Sequence, residues 1–187
     1  MKILTGSYRG RNFYMPADIR PTQNVARKAI FDLIGHDLSG LTVLDLYAGS
    51  GAVGLEALSL GASKVTFVEK APKCVDVIAE NLTLLGLKDG HYFDNRCELL
   101  QADALAAIKA FSGKKRAFHL VFLDPPYDRG LVKKTLKTLG AYDIVHPVSF
   151  IIVQYGKSEY LPETQEGFSL IKRQRYGKSF LAIFQKK

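Results

Sequence analysis

Cysteine is scarce in this chain, and the scarcity is informative. Only Cys74 and Cys97 occur in 187 residues, far apart, in apolar stretches and without a Cys-x-x-Cys pair. The pattern fits no disulfide framework, and both read as small core hydrophobes. The four histidines, His36, His91, His119 and His146, lack metal-ligand spacing, so no metal is assigned. No apolar run is long enough to span a bilayer, and the opening Met1–Gly6 has no signal-peptide core, so a cytoplasmic protein is expected. Internal repeats and low-complexity segments are also missing. Acid is in deficit: 18 Asp and Glu against 26 Lys and Arg leave a formal charge of +8.

A surplus of that size attracts a polyanion, and nucleic acid is the commonest one in the cytosol. The charge is also unevenly placed. Arg9, Arg11, Arg20, Arg27 and Lys28 gather early, and Lys172, Arg173, Arg175, Lys178, Lys186 and Lys187 gather late. Each is an ordinary surface charge taken alone; as a set they predict phosphate contacts by Arg9, Arg11, Arg20, Arg27, Lys172, Arg173, Arg175 and Lys178.

The length suits one well-cored domain. Residues 1–20 read as an arm, with short strands around Lys2–Leu4 and Arg11–Tyr14 turning at Gly6 and Gly10, and residues 21–187 as the main domain. Pro21-Thr22 signals a helix start, and Val25, Ala26, Ala29, Ile30, Leu33 and Ile34 keep a helical period up to Gly35. Beyond Gly40, strands and helices alternate. Strands are predicted at Leu41–Tyr47, Lys64–Glu69, Glu98–Gln101, Phe118–Leu123 and Phe150–Gln154, followed by a hairpin of Phe168–Arg175 with Ser179–Gln185. Asn81 reads as a helix-surface residue. The fold class is therefore α/β, a doubly wound, mostly parallel seven-stranded sheet with ligands at the carboxyl ends of its strands.

Gly49-Ser50-Gly51-Ala52-Val53-Gly54 satisfies G-x-G-x-x-G between a strand and a helix, a pattern shared with dinucleotide enzymes. Glu69, ending the second strand, can accept both hydrogen bonds of a ribose diol. Asp45 lies inside the first strand, four residues before Gly49. A carboxylate there would repel a diphosphate and favour a cofactor carrying an ammonium and a sulfonium. No Tyr-x-x-x-Lys pair is present to manage a hydride acceptor. Tyr47 suits cofactor contact and core packing equally.

The fourth strand runs straight into Asp124-Pro125-Pro126-Tyr127. This tetrapeptide suits chemistry on an amino group attached to an aromatic ring. Such a nitrogen is a poor nucleophile, because its lone pair is delocalised. An acceptor on its hydrogens, the Asp124 carboxylate or the Pro125 carbonyl, would draw it toward sp³ and help remove the proton. The two prolines fix the loop and bring no competing N–H. The face of Tyr127 offers about 1–3 kcal/mol of stacking to a base.

At these residues the chain resembles the RsmD family, bacterial methyltransferases of guanine N2 in 16S ribosomal RNA. The resemblance rests on Asp45-Leu46-Tyr47-Ala48-Gly49-Ser50-Gly51, Glu56-Ala57-Leu58-Ser59, Gly61-Ala62, Asp124-Pro125-Pro126-Tyr127, Arg20-Pro21-Thr22 and Arg175-Tyr176-Gly177. It implies a Rossmann-like class I fold, S-adenosyl-L-methionine as cofactor, and a monomer acting on 16S rRNA within a 30S subunit or an assembly intermediate. Asp45, Gly49 and Gly51 would line the methionine side of the cofactor and Glu69 its ribose. Asp103 and the backbone of Ala104 would reach its adenine. The target guanine would be flipped onto Tyr127. Three positions depart from the family's usual pattern: Lys28 follows Arg27, Leu60 precedes Gly61-Ala62, and Gln154 stands in the fifth strand. The alternatives are an amino-methyltransferase of DNA adenine or protein glutamine, a non-catalytic RNA-binding protein with this fold, and, more distantly, a nicotinamide dehydrogenase.

Overall fold

The computed structural model describes residues 1–16, 24–127, 129–177 and 179–186. Arg20, Pro21, Thr22 and Lys178 lie outside the described residues. Five helices are described, α1 (Asn24–Ile34), α2 (Ala52–Ser59), α3 (Pro72–Leu84), α4 (Ala104–Gly113) and α5 (Leu131–Ala141). The strands are β1 (Thr42–Leu46), β2 (Lys64–Glu69), β3 (Lys88–Asp89), β4 (Tyr92–Phe93), β5 (Cys97–Gln101), β6 (Phe118–Leu123), β7 (Val145–Gly156), β8 (Thr164–Gln165), β9 (Phe168–Tyr176) and β10 (Ser179–Lys186). Among these helices none is long and apolar enough to cross a membrane.

One sheet carries the order β5-β2-β1-β6-β7-β10-β9-β8, and β3 and β4 form a separate hairpin. The pairings β5–β2–β1–β6–β7 are parallel, and those of β10 with β7 and β9 are antiparallel. The seven expected strands are present; β8 adds a two-residue eighth along β9. Side-chain alternation sorts the sheet into two faces. Val43, Phe67, Leu120, Phe122, Ile152 and Leu181 pack under α1, α2 and α3. Leu44, Leu46, Val121, Leu123, Ile151 and Val153 pack under α4 and α5. Both cysteines are buried and unpaired.

The arm is not a regular hairpin. A single antiparallel bridge joins Lys2 to Asn12, with Ile3 N–H donating to Arg11 and Phe13 N–H to Met1. What holds the arm is α2. Glu56 accepts from Leu4 N at 2.7 Å, Thr5 N at 3.2 Å and Thr5 Oγ1 at 2.8 Å. Ser59 Oγ accepts from Tyr8 N at 2.9 Å. Gly6, at φ 72°, lies against this turn so closely that a Cβ would fall 1.9 Å from the Ser59 carbonyl oxygen. Ile3 and Phe13 thereby join the main core.

Arg27 requires a correction. Expected as a phosphate contact, it is 0% exposed. Its Nε sits 3.1 Å from Glu56, its NH2 donates to the Lys2 carbonyl at 2.7 Å, and its guanidinium lies over Phe13. A buried charge needs this pairing, because taking a guanidinium out of water is costly unless it is matched by a carboxylate and hydrogen bonds. Burial lowers the Arg27 pKa, and Glu56 opposes that shift.

Candidate active site

Asp45, Glu69 and Asp124 meet at the carboxyl edge because three parallel strands end there side by side. Asp45 pairs with Phe67 of β2 on one side and with Phe122 of β6 on the other. Leu123 pairs with Val153, so Asp124 and Gln154 follow next in line on neighbouring strands. Strand alternation puts Asp45, Phe122, Asp124, Ile152 and Gln154 on the face under α1 and α2. Together with Ile30, Val53 and Leu123 they line one small cavity of about 10 Å³.

Asp45 is 4% exposed and accepts from Gly54 N at 2.9 Å. That contact requires α2 to lie tight against β2. Gly54 permits it, since a Cβ there would sit 2.2 Å from the Phe67 ring. Burial pushes the Asp45 carboxyl up to about 8; the Gly54 N–H opposes the shift, and the negative charges of Asp124 and Glu69 add to it. The turn after β1 carries its strain openly. Tyr47 at φ 61°, Gly49 at 58° and Gly51 at 77° are all left-handed, and Gly51 N–H donates to the Ala48 carbonyl at 2.7 Å.

Glu69 braces this turn. Its Oε2 accepts from Gly49 N at 2.9 Å, and Oε1 accepts from Lys70 N and Ala71 N. Asp103 caps α4, Oδ1 accepting from Leu105 N at 3.0 Å and Ala106 N at 3.3 Å. Its Oδ2 lies 3.8 Å from Lys70 Nζ. Ala104 is buried as the first residue of α4. Tyr47 turns toward α5, its hydroxyl 2.8 Å from Thr135 Oγ1. Burial raises its pKa, Thr135 opposes, and nearby Asp103 adds to the rise.

In the Asp-Pro-Pro-Tyr loop, Pro125 is buried and Pro126 exposed. Tyr127 was expected to act through its ring face alone. The structure also engages its hydroxyl, which accepts from Gln154 Nε2 at 2.9 Å. The ring itself lies against Gly156.

Asn81 is a second correction. It is 0% exposed, not a surface residue. Its Oδ1 accepts from Tyr14 N at 2.7 Å, and Nδ2 donates to the carbonyls of Tyr14 at 3.1 Å and Ser50 at 3.0 Å. One amide therefore ties the exit of the arm to the glycine turn. The signal was available: Cys74, Ile78, Asn81 and Leu82 fall on one helical stripe, and all four are buried.

The basic residues fall into two groups that the fold keeps apart. Arg9 and Arg11 are exposed on the arm, where Arg11 NH2 donates to the Leu84 carbonyl at 2.7 Å, at the end of α3. Lys172, Arg173 and Arg175 are exposed on β9, far across the sheet. Arg173 donates to the Leu161 carbonyl and covers the Tyr160 ring; Arg175 Nε donates to Gly177. Because Ser179 pairs with both Gly156 and Tyr176, the tip of this hairpin reaches the carboxyl edge beside the Tyr127 loop.

The whole of this architecture is shared. The model of the family described as "Conserved hypothetical protein 95" matches residues 1–185. The chain belongs to the RsmD family. This RsmD-family chain is 31% identical over 189 residues to YlbH of Bacillus subtilis, covering 100% of each. It is 28% identical to ribosomal RNA small subunit methyltransferase D of Escherichia coli K12, over 100% of this chain and 90% of that protein. The solved structure of YhhF from Escherichia coli superimposes with a TM-score of 0.83 at 25% identity, covering 100% of this chain and 98% of that one.

Proposed function

We propose that this chain transfers a methyl group from S-adenosyl-L-methionine to the exocyclic N2 of a guanine in 16S rRNA, in the cytoplasm. The coarser part, S-adenosylmethionine-dependent methylation of ribosomal RNA, rests on family membership and on the activity in its relatives' names. The finer part rests on one observation: Asp45 and Asp124 line the same cavity, with Gln154 of β7 bonded to the Tyr127 loop.

The residues fit a cationic cofactor. Three carboxylates converge here, and the buried one, Asp45, holds its proton to about pH 8. A diphosphate would worsen that crowding; an ammonium would relieve it. Asp45, Gly49 and Gly51 would hold the amino-acid end, Glu69 the ribose, and Asp103 with Ala104 the adenine. Bound, the cofactor supplies an electrophilic methyl on a sulfonium. Asp124 accepts a hydrogen of the guanine amino group, localises the nitrogen lone pair and takes up the proton. Pro125 holds that carboxylate at a fixed approach, and the Tyr127 face receives the flipped base. Arg9 and Arg11 on the arm and Lys172, Arg173 and Arg175 on β9 supply phosphate contacts from both sides of the fold, and Arg20 and Lys178, outside the described residues, are counted with them on charge alone. The test is mass mapping of 16S rRNA from cells lacking the protein, followed by methyl incorporation in vitro into 30S subunits, naked rRNA and DNA. Loss and recovery of one N2-methylguanine is the expected result; methylation of DNA alone overturns it.

Asp45 gives this reading a pH signature. Its folded-state pKa is raised above the unfolded value, so the native state binds the proton more tightly. Free protein therefore loses stability from Asp45 as pH rises from about 4 through about 8. An ammonium ligand favours the ionised form, so binding releases the proton below about pH 8. Affinity for S-adenosylhomocysteine, which keeps the ammonium, should rise with pH by at most about tenfold per unit and level off above about 8. Calorimetry in buffers of differing ionisation heat measures the proton released. Asp45→Asn should flatten the profile; a flat profile in the native protein removes Asp45 from the ammonium site.

A further inference from the structure

Gln154 is 8% exposed and lines the cavity with Asp45 and Asp124. Its Nε2 is committed to the Tyr127 hydroxyl at 2.9 Å. Among the described residues its Oε1 is buried with no hydrogen-bond partner. A buried acceptor left unpaired costs stability, and such atoms persist where a ligand completes them. Register places this acceptor next in line to Asp124, so the cavity wall offers two acceptors on adjacent strands.

That pair has a chemical complement. The Watson–Crick edge of guanine presents two neighbouring donors, N1–H and the N2 amino group. Adenine presents an amino group beside the bare N1 acceptor, which would face Oε1 lone pair to lone pair. We propose that Gln154 is a specificity-determining residue: its Oε1 accepts the N1–H of the target guanine while Asp124 accepts from N2. This rests on the guanine-N2 reading and adds the group that selects guanine. Tyr127 holds the amide by its nitrogen, which keeps the oxygen turned toward the base.

The test compares guanine with 2-aminopurine at the methylated nucleotide of reconstituted small subunits. 2-Aminopurine keeps the exocyclic amine but has an acceptor at N1. Native protein should prefer guanine by roughly 100-fold, the size expected for leaving one buried acceptor unpaired. Gln154→Met, close in size but without the acceptor, should bring the preference to within about fivefold. Gln154→Glu, which keeps an acceptor, should retain it. A packing role predicts the reverse order, because a buried carboxylate disturbs a cavity more than a thioether does. The ratio of two substrates on one preparation is insensitive to the fraction folded. Full preference in Gln154→Met, or a ratio for Gln154→Glu no better than that of Gln154→Met, overturns the assignment. Failure of the underlying reading shows differently: native protein would place no methyl on guanine N2, before any variant is made.

Discussion

Replacing Asp124 by alanine should cut methylation by about a thousandfold while leaving S-adenosylhomocysteine affinity within about threefold of native, the size expected for loss of a positioned proton acceptor. The separation follows from where Asp124 sits. It leaves β6 at the mouth of the cavity, whereas the turn after β1 is braced by Glu69 and by the Gly54 contact with Asp45. Asp124→Asn keeps an acceptor oxygen and should retain more activity than alanine. A second readout comes from charge. Asp124 contributes to the raised pKa of Asp45, so its removal should move the pH at which binding levels off downward from about 8. Single-turnover methylation and calorimetry across pH check both. Equal loss of binding and turnover would place Asp124 in the cofactor site and not at the reacting amine.

The second large effect is on stability. Glu56→Ala should destabilise the protein by about 3–5 kcal/mol, because it strands a fully buried guanidinium. It also removes the acceptor shared by Leu4 N, Thr5 N and Thr5 Oγ1. The paired change Arg27→Met with Glu56→Leu should recover much of the loss, since neither charge is then left alone. Urea unfolding of the two single variants and the double one closes the cycle. A loss below about 1 kcal/mol in Glu56→Ala would mean that the arm and α1 stand without the ion pair.

The sheet was legible because its signals are local. Lys64–Glu69 and Phe118–Leu123 are apolar runs bounded by glycine or charge, and they form β2 and β6 with those bounds. Asp103 capped its helix as residue type and position required. Misreading came where type was trusted over position. Arg27 and Asn81 look like surface residues, yet each lies on an apolar helical stripe with Ile30 and Phe31 or with Ile78 and Leu82. In such a stripe a polar group must find a partner, and Glu56 and the Tyr14 backbone supply it. The short β3–β4 hairpin and β8 have too few residues to show a period. The bond from Gln154 to Tyr127 depends on the β6–β7 register, which no local pattern encodes.

The antiparallel end of the sheet sets the order in which the molecule can be completed during synthesis. β10 lies between β7 and β9, although it is made after both. Until residues 179–186 have left the ribosome, one whole edge of β7 is open and β9 has only the two-residue β8 beside it. The edge of β7 at Ile152 and Val153 then stands open as a template for pairing with another nascent copy, while β9 presents Lys172 and Arg173 at the same level. Threading in β10 closes both interfaces in one event, which makes the folding of this half all-or-none and late.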